Sequence, residues 1–296
     1  MTRLNPSKTA EGIAINRAAE SRRPEHSRVF HDPYAVHFFS EQTLRVLRRP
    51  LLAWCLRTYR RWQYRGMYGA IVCRVRFIDD VLCSSIEDGA DQVVLLGAGY
   101  DMRAYRFAHL MDGVKVFEVD DPDTQMVKTQ KMKTIPGTPP VNISYVPMRF
   151  GRDDLRANLN SRGYDPEGKT LFIWEGVTMY LNLEEIDATL EFVVRHSGPG
   201  SSIVFDAFPP SIADGTNTRR EVKALKKYTG SVGEPIRSGL HFGEIESFMK
   251  DRGFGHVRNV HVEQCRSDYL RPLNRKERVT PIFTFVHATV GNSHDS

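Results

Sequence analysis

Val93-Val94-Leu95-Leu96-Gly97-Ala98-Gly99-Tyr100-Asp101 is an apolar strand that runs straight into a Gly-x-Gly turn. A second strand, Val116-Phe117-Glu118-Val119-Asp120, follows about twenty residues on and ends in carboxylates, a spacing suited to gripping ribose hydroxyls. Glycines let the backbone approach a ligand closely. The pairing points to a nucleoside-containing ligand and leaves its identity open.

Working outward, strands and helices alternate. The candidate strands are Gln92–Leu96, Val114–Val119, Asn142–Val146, Thr170–Trp174, Ser202–Asp206, His256–Glu263 and Ile282–Val290. Helical patterns at Asp123–Lys133, Leu183–Arg195 and Phe242–Arg252 lie between them. This predicts an α/β fold, a mainly parallel sheet of about seven strands with helices on both faces. The connection from Cys265 to Pro281 is short, polar and too irregular for a crossover helix, which suits one antiparallel strand at the sheet edge. Residues 1–90 read as an N-terminal helical cap, 91–290 as the ligand-binding domain and 291–296 as a frayed tail. Within the cap, Pro6 suits a first helical turn, Asp32-Pro33-Tyr34 a second helix start, and Pro50 a break.

Composition narrows the class. With 41% hydrophobic and 26% charged residues the chain is ordinary for a soluble globular protein. It has no apolar run long enough to span a bilayer, and its first residues lack the apolar core of a secretory leader. Four scattered cysteines (Cys55, Cys73, Cys83, Cys265) read as reduced, mostly buried thiols in a cytoplasmic protein, with no metal site. The net charge of +5 does not by itself point to nucleic acid. Its distribution says more: from Gln42 to Ile78 there is no acidic residue, while nine arginines alternate with Trp54, Tyr59, Trp62, Tyr64 and Tyr68. That segment reads as a solvated helical face, a funnel for an anionic acceptor, or an attachment to an acidic surface.

For a nicotinamide cofactor the turn lacks its third glycine, since Met102 stands there, and no phosphate-binding P-loop is present. A ligand with ribose and adenine but no pyrophosphate remains. S-adenosylmethionine fits, with Gly97 and Gly99 against its amino-acid part and an acid after the second strand on its ribose. Asp120 is the first choice for the ribose and Glu118 the alternative, because both share one face of the strand. Asp101 reads as a cap for the next helix.

The wider signature includes Ser7-Lys8-Thr9-Ala10, Arg17-Ala18-Ala19-Glu20-Ser21, Phe30-His31-Asp32-Pro33-Tyr34-Ala35, Arg74-Val75-Arg76-Phe77-Ile78-Asp79-Asp80 and Trp174-Glu175-Gly176-Val177-Thr178-Met179-Tyr180-Leu181. Together with the glycine turn and Phe117-Glu118-Val119-Asp120, these resemble the leucine carboxyl methyltransferase-like family over Ser7 to Phe254. The chain is similar to the bacterial branch that includes tetracenomycin-type polyketide carboxyl methyltransferases, which implies secondary metabolism. It looks less like the branch that methylates the C-terminal leucine of a phosphatase.

The resemblance implies a class I methyltransferase fold and assigns residues. Arg74 would bind the cofactor carboxylate, with Arg76 as the fallback; a guanidinium matches a carboxylate bidentately. Glu175 would sit near the methionine amino group, and Lys8 would close over the carboxylate. Tyr180 and Trp174 read as core or pocket wall. Family members place an acid after the third strand, near the adenine amine, but here Pro147-Met148-Arg149-Phe150 puts Arg149 there. Arginine cannot accept a hydrogen bond. Phe150 is expected to pack on the ring, and Asp153 or Asp154 to supply the missing acceptor.

A carboxylate acceptor is already ionised at neutral pH, so methyl transfer to it needs no general base. A phenol would need one, and His241 is the first candidate. The expected activity is O-methylation of a small anionic acceptor. The competing readings are a modifier of RNA or of a protein C-terminus, or a binding module whose catalysis is lost through Arg149.

Overall fold

The structure is a computed structural model that describes residues 6–135 and 142–291. The expected tail beyond 291 and the first five residues lie outside the described residues. Seven strands form one sheet: β1 (Gln92–Leu96), β2 (Lys115–Asp120), β3 (Ile143–Pro147), β4 (Thr170–Trp174), β5 (Ser202–Ala207), β6 (Phe254–His261) and β7 (Thr284–Val290). Their order is β3-β2-β1-β4-β5-β7-β6. The first five run parallel, with Leu96 beside Val119 and Leu95 beside Ile173. The expected antiparallel strand is β7, which pairs antiparallel with both β5 and β6 and so lies beside the outermost strand at that end.

Four helices precede the sheet: α1 (Lys8–Ser21), α2 (Glu41–Leu47), α3 (Pro50–Gln63) and α4 (Met67–Glu87). Between the strands come α5 (Arg103–Arg106), α6 (Pro122–Met132), α7 (Leu155–Asn160), α8 (Leu183–Arg195), α9 (Pro210–Ala213), α10 (Arg220–Ser231), α11 (Ile245–Lys250) and α12 (Val262–Cys265). Side chains alternate across a strand, so each buried strand feeds two cores. Val93 and Leu95 of β1 join Val116, Ile173, Val204 and Phe285 in the core that α4 covers. Val94 and Leu96 join Phe117, Phe172, Phe205 and Val286 under α8 and α11. Most of α4 is buried, which explains why its sequence is apolar on nearly every side.

Local chemistry adjusts three expectations. The Ser7 hydroxyl accepts from the Ala10 amide and starts α1 at Lys8, so Pro6 precedes the cap instead of occupying the first turn. Asp32 accepts from the Tyr34 and Ala35 amides, but the helix it starts is a single 3-10 turn, Ala35–Phe38. Pro50 is the first residue of α3, so the break falls just before it. Among the described cysteines Cys73 and Cys265 are buried, and Cys55 is exposed on α3. No helix among the described residues is long and apolar enough to cross a membrane.

Candidate functional site

The strand order reverses between β1 and β4, and open α/β sheets bind ligands in the crevice beyond the strand ends at such a point. The glycine turn leaves β1 there and Glu175 leaves β4 beside it. The two loops are so close that a Cβ on Gly97 would overlap Cγ2 of Val177. Gly97 and Gly99 have φ of +72° and +49°, values that favour glycine. α1 roofs the turn: a Cβ on Gly99 would stand 3.4 Å from Cβ of Ala10. Phe38 stacks on Tyr100 at 4.7 Å to seal that contact.

Beneath the turn lies a buried network of ions. Arg74, on the sheet-facing side of α4, donates through Nε to Glu175 Oε1 at 3.0 Å and through Nη1 to Asp206 Oδ2 at 2.9 Å. Its Nη2 makes no hydrogen bond among the described residues. Asp206 also accepts from the Gly176 amide at 2.6 Å. Arg103, 1% exposed, reaches Glu175 Oε2 at 2.6 Å, Asp79 at 2.7 Å and Asp101. Arg106 holds the other Asp79 oxygen at 2.5 Å. Burial alone would raise the Glu175 carboxyl, but Arg103, then Arg74 and Arg17, override it and hold it down at about 2. Four carboxylates (Asp79, Asp101, Glu175, Asp206) meet three guanidiniums (Arg74, Arg103, Arg106) in this network, Arg17 adds its charge near Glu175, and burial raises the Asp206 carboxyl against the pull of Arg74.

Asp120 ends β2 beside the turn, where Oδ2 accepts from the Gly99 amide and Oδ1 from the Asp121 amide at 2.6 Å. Burial pushes its carboxyl up to about 6 although both amides and Lys128 pull the other way. Glu118 lies on the same face, as the alternation requires, but deeper: it is 1% exposed and paired with Lys128 at 2.6 Å. Burial raises it against that pull from Lys128.

The remaining candidates are spread out. Arg76 faces away, half-exposed and paired with Asp80 at 2.7 Å, so it does not substitute for Arg74. Lys8 opens α1 on the surface, and its carbonyl accepts from Tyr228 at 3.1 Å. Asp101 accepts from the Arg103 amide at 2.7 Å, but the N-cap of α5 is Met102, so Asp101 stands one residue before the cap position expected of it. Trp174 is fully buried core. Phe150 is half-buried against the core under α8. Arg149 is half-exposed, 3.5 Å from Asp121. Asp153 accepts from the Arg149 amide through Oδ2 and Asp154 caps α7 through Oδ1, each with its second carboxylate oxygen left over. His241 is exposed, next to Leu240, whose amide bonds to Phe208 just past β5.

Sequence reasoning missed Arg103, Asp206 and Lys128. Asp206 had the signal of Asp120 and Glu175, an acid at the end of an apolar strand. Arg103 was hinted at only by Asp101-Met102-Arg103 directly after the turn. Lys128 carried no signal, because a lysine on a helix normally faces water.

The residues at this crevice fit S-adenosylmethionine. The glycine turn sits at the strand ends of the switch point with positive φ at Gly97 and Gly99, and Nη2 of Arg74 has no hydrogen-bond partner among the described residues. The Leucine carboxyl methyltransferase family matches residues 10–194. A relative from Bacillus subtilis (strain 168), "Putative S-adenosyl-L-methionine-dependent methyltransferase YktD", is 32% identical over 222 residues, 73% of this chain and 71% of its own. A "Putative S-adenosyl-L-methionine-dependent methyltransferase" of Mycolicibacterium gilvum (strain PYR-GCK) is 31% identical over 229 residues, 74% of this chain and 72% of its own. Among solved structures, a DUF574 family protein from Streptomyces avermitilis MA-4680 superposes with a TM-score of 0.57 at 13% identity, covering 97% of this chain and 98% of that one. A structure titled "putative methyltransferase" from Thermobifida fusca YX gives 0.53 at 16% identity, covering 81% and 89%. At those identities the likeness establishes the fold, the seven-stranded class I methyltransferase sheet. The chain belongs to the leucine carboxyl methyltransferase family and is an S-adenosylmethionine-dependent methyltransferase.

Proposed function

We propose that the protein methylates a carboxylate of a small anionic acceptor, of the size of a polyketide acid. The observation that carries this reading is the double arginine clamp on Glu175. Arg74 and Arg103 each hold one of its oxygens and keep the carboxyl low, which makes Glu175 a weak base. The acceptor then does best to arrive ionised itself.

In this reading Gly97 and Gly99 floor the methionine part of the cofactor, and Nη2 of Arg74 binds its carboxylate. Glu175 faces its ammonium, Asp120 takes the ribose hydroxyls, Phe150 packs on the adenine, and Lys8 stands at the rim. S-adenosylmethionine supplies a methyl group on a sulfonium, which leaves as a neutral thioether when an acceptor oxygen displaces it in line. The chain's own contribution is to hold the partners aligned, which supplies several kcal/mol without acid or base.

The test is a screen of carboxylic acids and matched phenols with labelled methyl donor, with the product methyl located. A base-labile methyl ester is the expected product. A phenol ether whose formation is lost in His241→Ala would move the chemistry to that histidine, and label in RNA or a protein C-terminus would move it to a large partner. If calorimetry finds that neither S-adenosylmethionine nor S-adenosylhomocysteine binds, the site assignment fails altogether.

A further inference from the structure

The described residues expose nine large apolar side chains, and seven of them lie between Leu47 and Trp62. They belong to α3 and the residue that ends α2. At about 100° per residue, Leu51, Trp62, Cys55, Tyr59, Leu52 and Leu56 fall on one arc of α3 that Gln63 shares, with Arg60 bordering the arc beside Leu56 and Arg61 on the far side. An arc of this kind normally faces a core. Here Leu51 is 75%, Tyr59 53% and Trp62 58% exposed, so the apolar face of the helix is open, and Trp54, 56% exposed, stands beside Arg61.

Beside it runs a basic groove of about 270 Å³ between Trp62 and Gln63 of α3 and Arg220, Lys223 and Lys227 of α10. Spacings of three and four residues put those three cations on one face of α10. Arg220 lies 3.9 Å over the Trp62 ring. Arg48, Arg49, Arg60, Arg61, Lys223 and Lys227 form no ion pair among the described residues, and Gln42 to Ile78 holds no acid to neutralise them.

We propose that α3 and the adjoining face of α10 dock the protein on an anionic phospholipid surface, with α3 lying in the plane of the interface. A helix with leucine and tryptophan on one side and arginines on the other, next to unneutralised lysines, matches both layers of such a surface: acyl chains for Leu51, Leu52 and Leu56, phosphates for the cations. The aliphatic side chains argue against RNA, whose binding surfaces stack bases on planar rings. The uniform positive charge argues against a second copy, since a two-fold contact here would bring arginine against arginine. Docking on one leaflet is independent of the methyl-transfer reading.

The full chain is mixed with vesicles of phosphatidylcholine alone, or of phosphatidylcholine and phosphatidylglycerol in equal parts, and followed by sedimentation and tryptophan emission. The chain has three tryptophans, and Trp174 is buried in the core, so an emission change reports Trp54 and Trp62. The expected result is sedimentation with the mixed vesicles only, a blue shift, and weakening with salt. Lys223→Ala and Lys227→Ala should each weaken binding about fivefold. Leu51→Ser with Leu56→Ser should abolish the blue shift while circular dichroism and S-adenosylhomocysteine affinity stay unchanged. The proposal is overturned by absence of binding to mixed vesicles, by equal binding of the leucine double variant, by binding to single-stranded RNA in place of vesicles, or by a dimer that the leucine double variant splits.

Discussion

Arg103 donates to Glu175 at 2.6 Å, so an arginine just after the glycine turn fixes the carboxylate that ends the neighbouring strand of the switch point. Both side chains are almost without solvent. Arg103→Met would leave Asp101 without its guanidinium and leave Glu175 to Arg74 alone. Breaking a buried network by removing one partner costs about 3–5 kcal/mol. Urea unfolding should show that loss with little change in slope, and Arg103→Lys should fall between the two because one ammonium replaces a five-donor fork. A wild-type midpoint for Arg103→Met would show that the network is not what holds the two loops together.

Asp120 predicts pH effects of opposite sign on stability and on cofactor binding. Its carboxyl is raised in the folded protein from 3.8 to about 6, so between those values the native state holds a proton that the unfolded chain has released. Stability therefore falls as pH rises through that window. Cofactor affinity should instead rise as pH passes about 6 and then level off, because the ionised carboxylate is the better acceptor for ribose hydroxyls. Glu175, held at about 2, does not titrate in this range. Calorimetry of S-adenosylhomocysteine across this range should show the step in the wild type. Asp120→Asn should lack it and bind about tenfold or more weakly, the usual scale for a hydrogen bond to a charged group. An unchanged pH profile in Asp120→Asn would remove Asp120 from the ribose.

The two glycines should separate fold from binding. Gly97→Ala meets both a positive φ and the Val177 side chain, and should cost about 1–3 kcal/mol of stability. Adding Val177→Ala should restore only the part due to overlap. Gly99→Ala meets Ala10 at ordinary contact distance, so its stability loss should be near 1 kcal/mol while cofactor affinity drops. Equal stability losses for the two would contradict this division.

The sheet was legible because five buried parallel strands read as short apolar runs, and strand length separated them from helices. Asp120 and Glu175 were legible as acids that end such runs. The partner of each was not. Arg103 and Lys128 are cations inside the protein, and nothing in a single sequence distinguishes them from the many arginines and lysines that face water until the opposing strand is in place. The cap was the least legible part, since Asp32 and Ser7 act through backbone capping that shifts element starts by one or two residues. Only the fold reveals that the apolar face of α3 is left open.

Arg149 is the clearest departure from the family pattern, and it can be turned into a gain. Its guanidinium is half-exposed and 3.5 Å from Asp121, a surface contact of little energetic weight. Replacing it by aspartate would crowd a third carboxylate beside Asp121 and Asp153. Arg149→Asn supplies a neutral acceptor without that repulsion. Stability should stay within about 0.5 kcal/mol of wild type. If the adenine amine lies at this position, S-adenosylmethionine affinity should rise about threefold to tenfold, the scale of one neutral hydrogen bond. Methylthioadenosine, which keeps the adenine but lacks the amino-acid part, should gain by the same factor, whereas a gain confined to S-adenosylmethionine would place the effect at the charged end of the site instead.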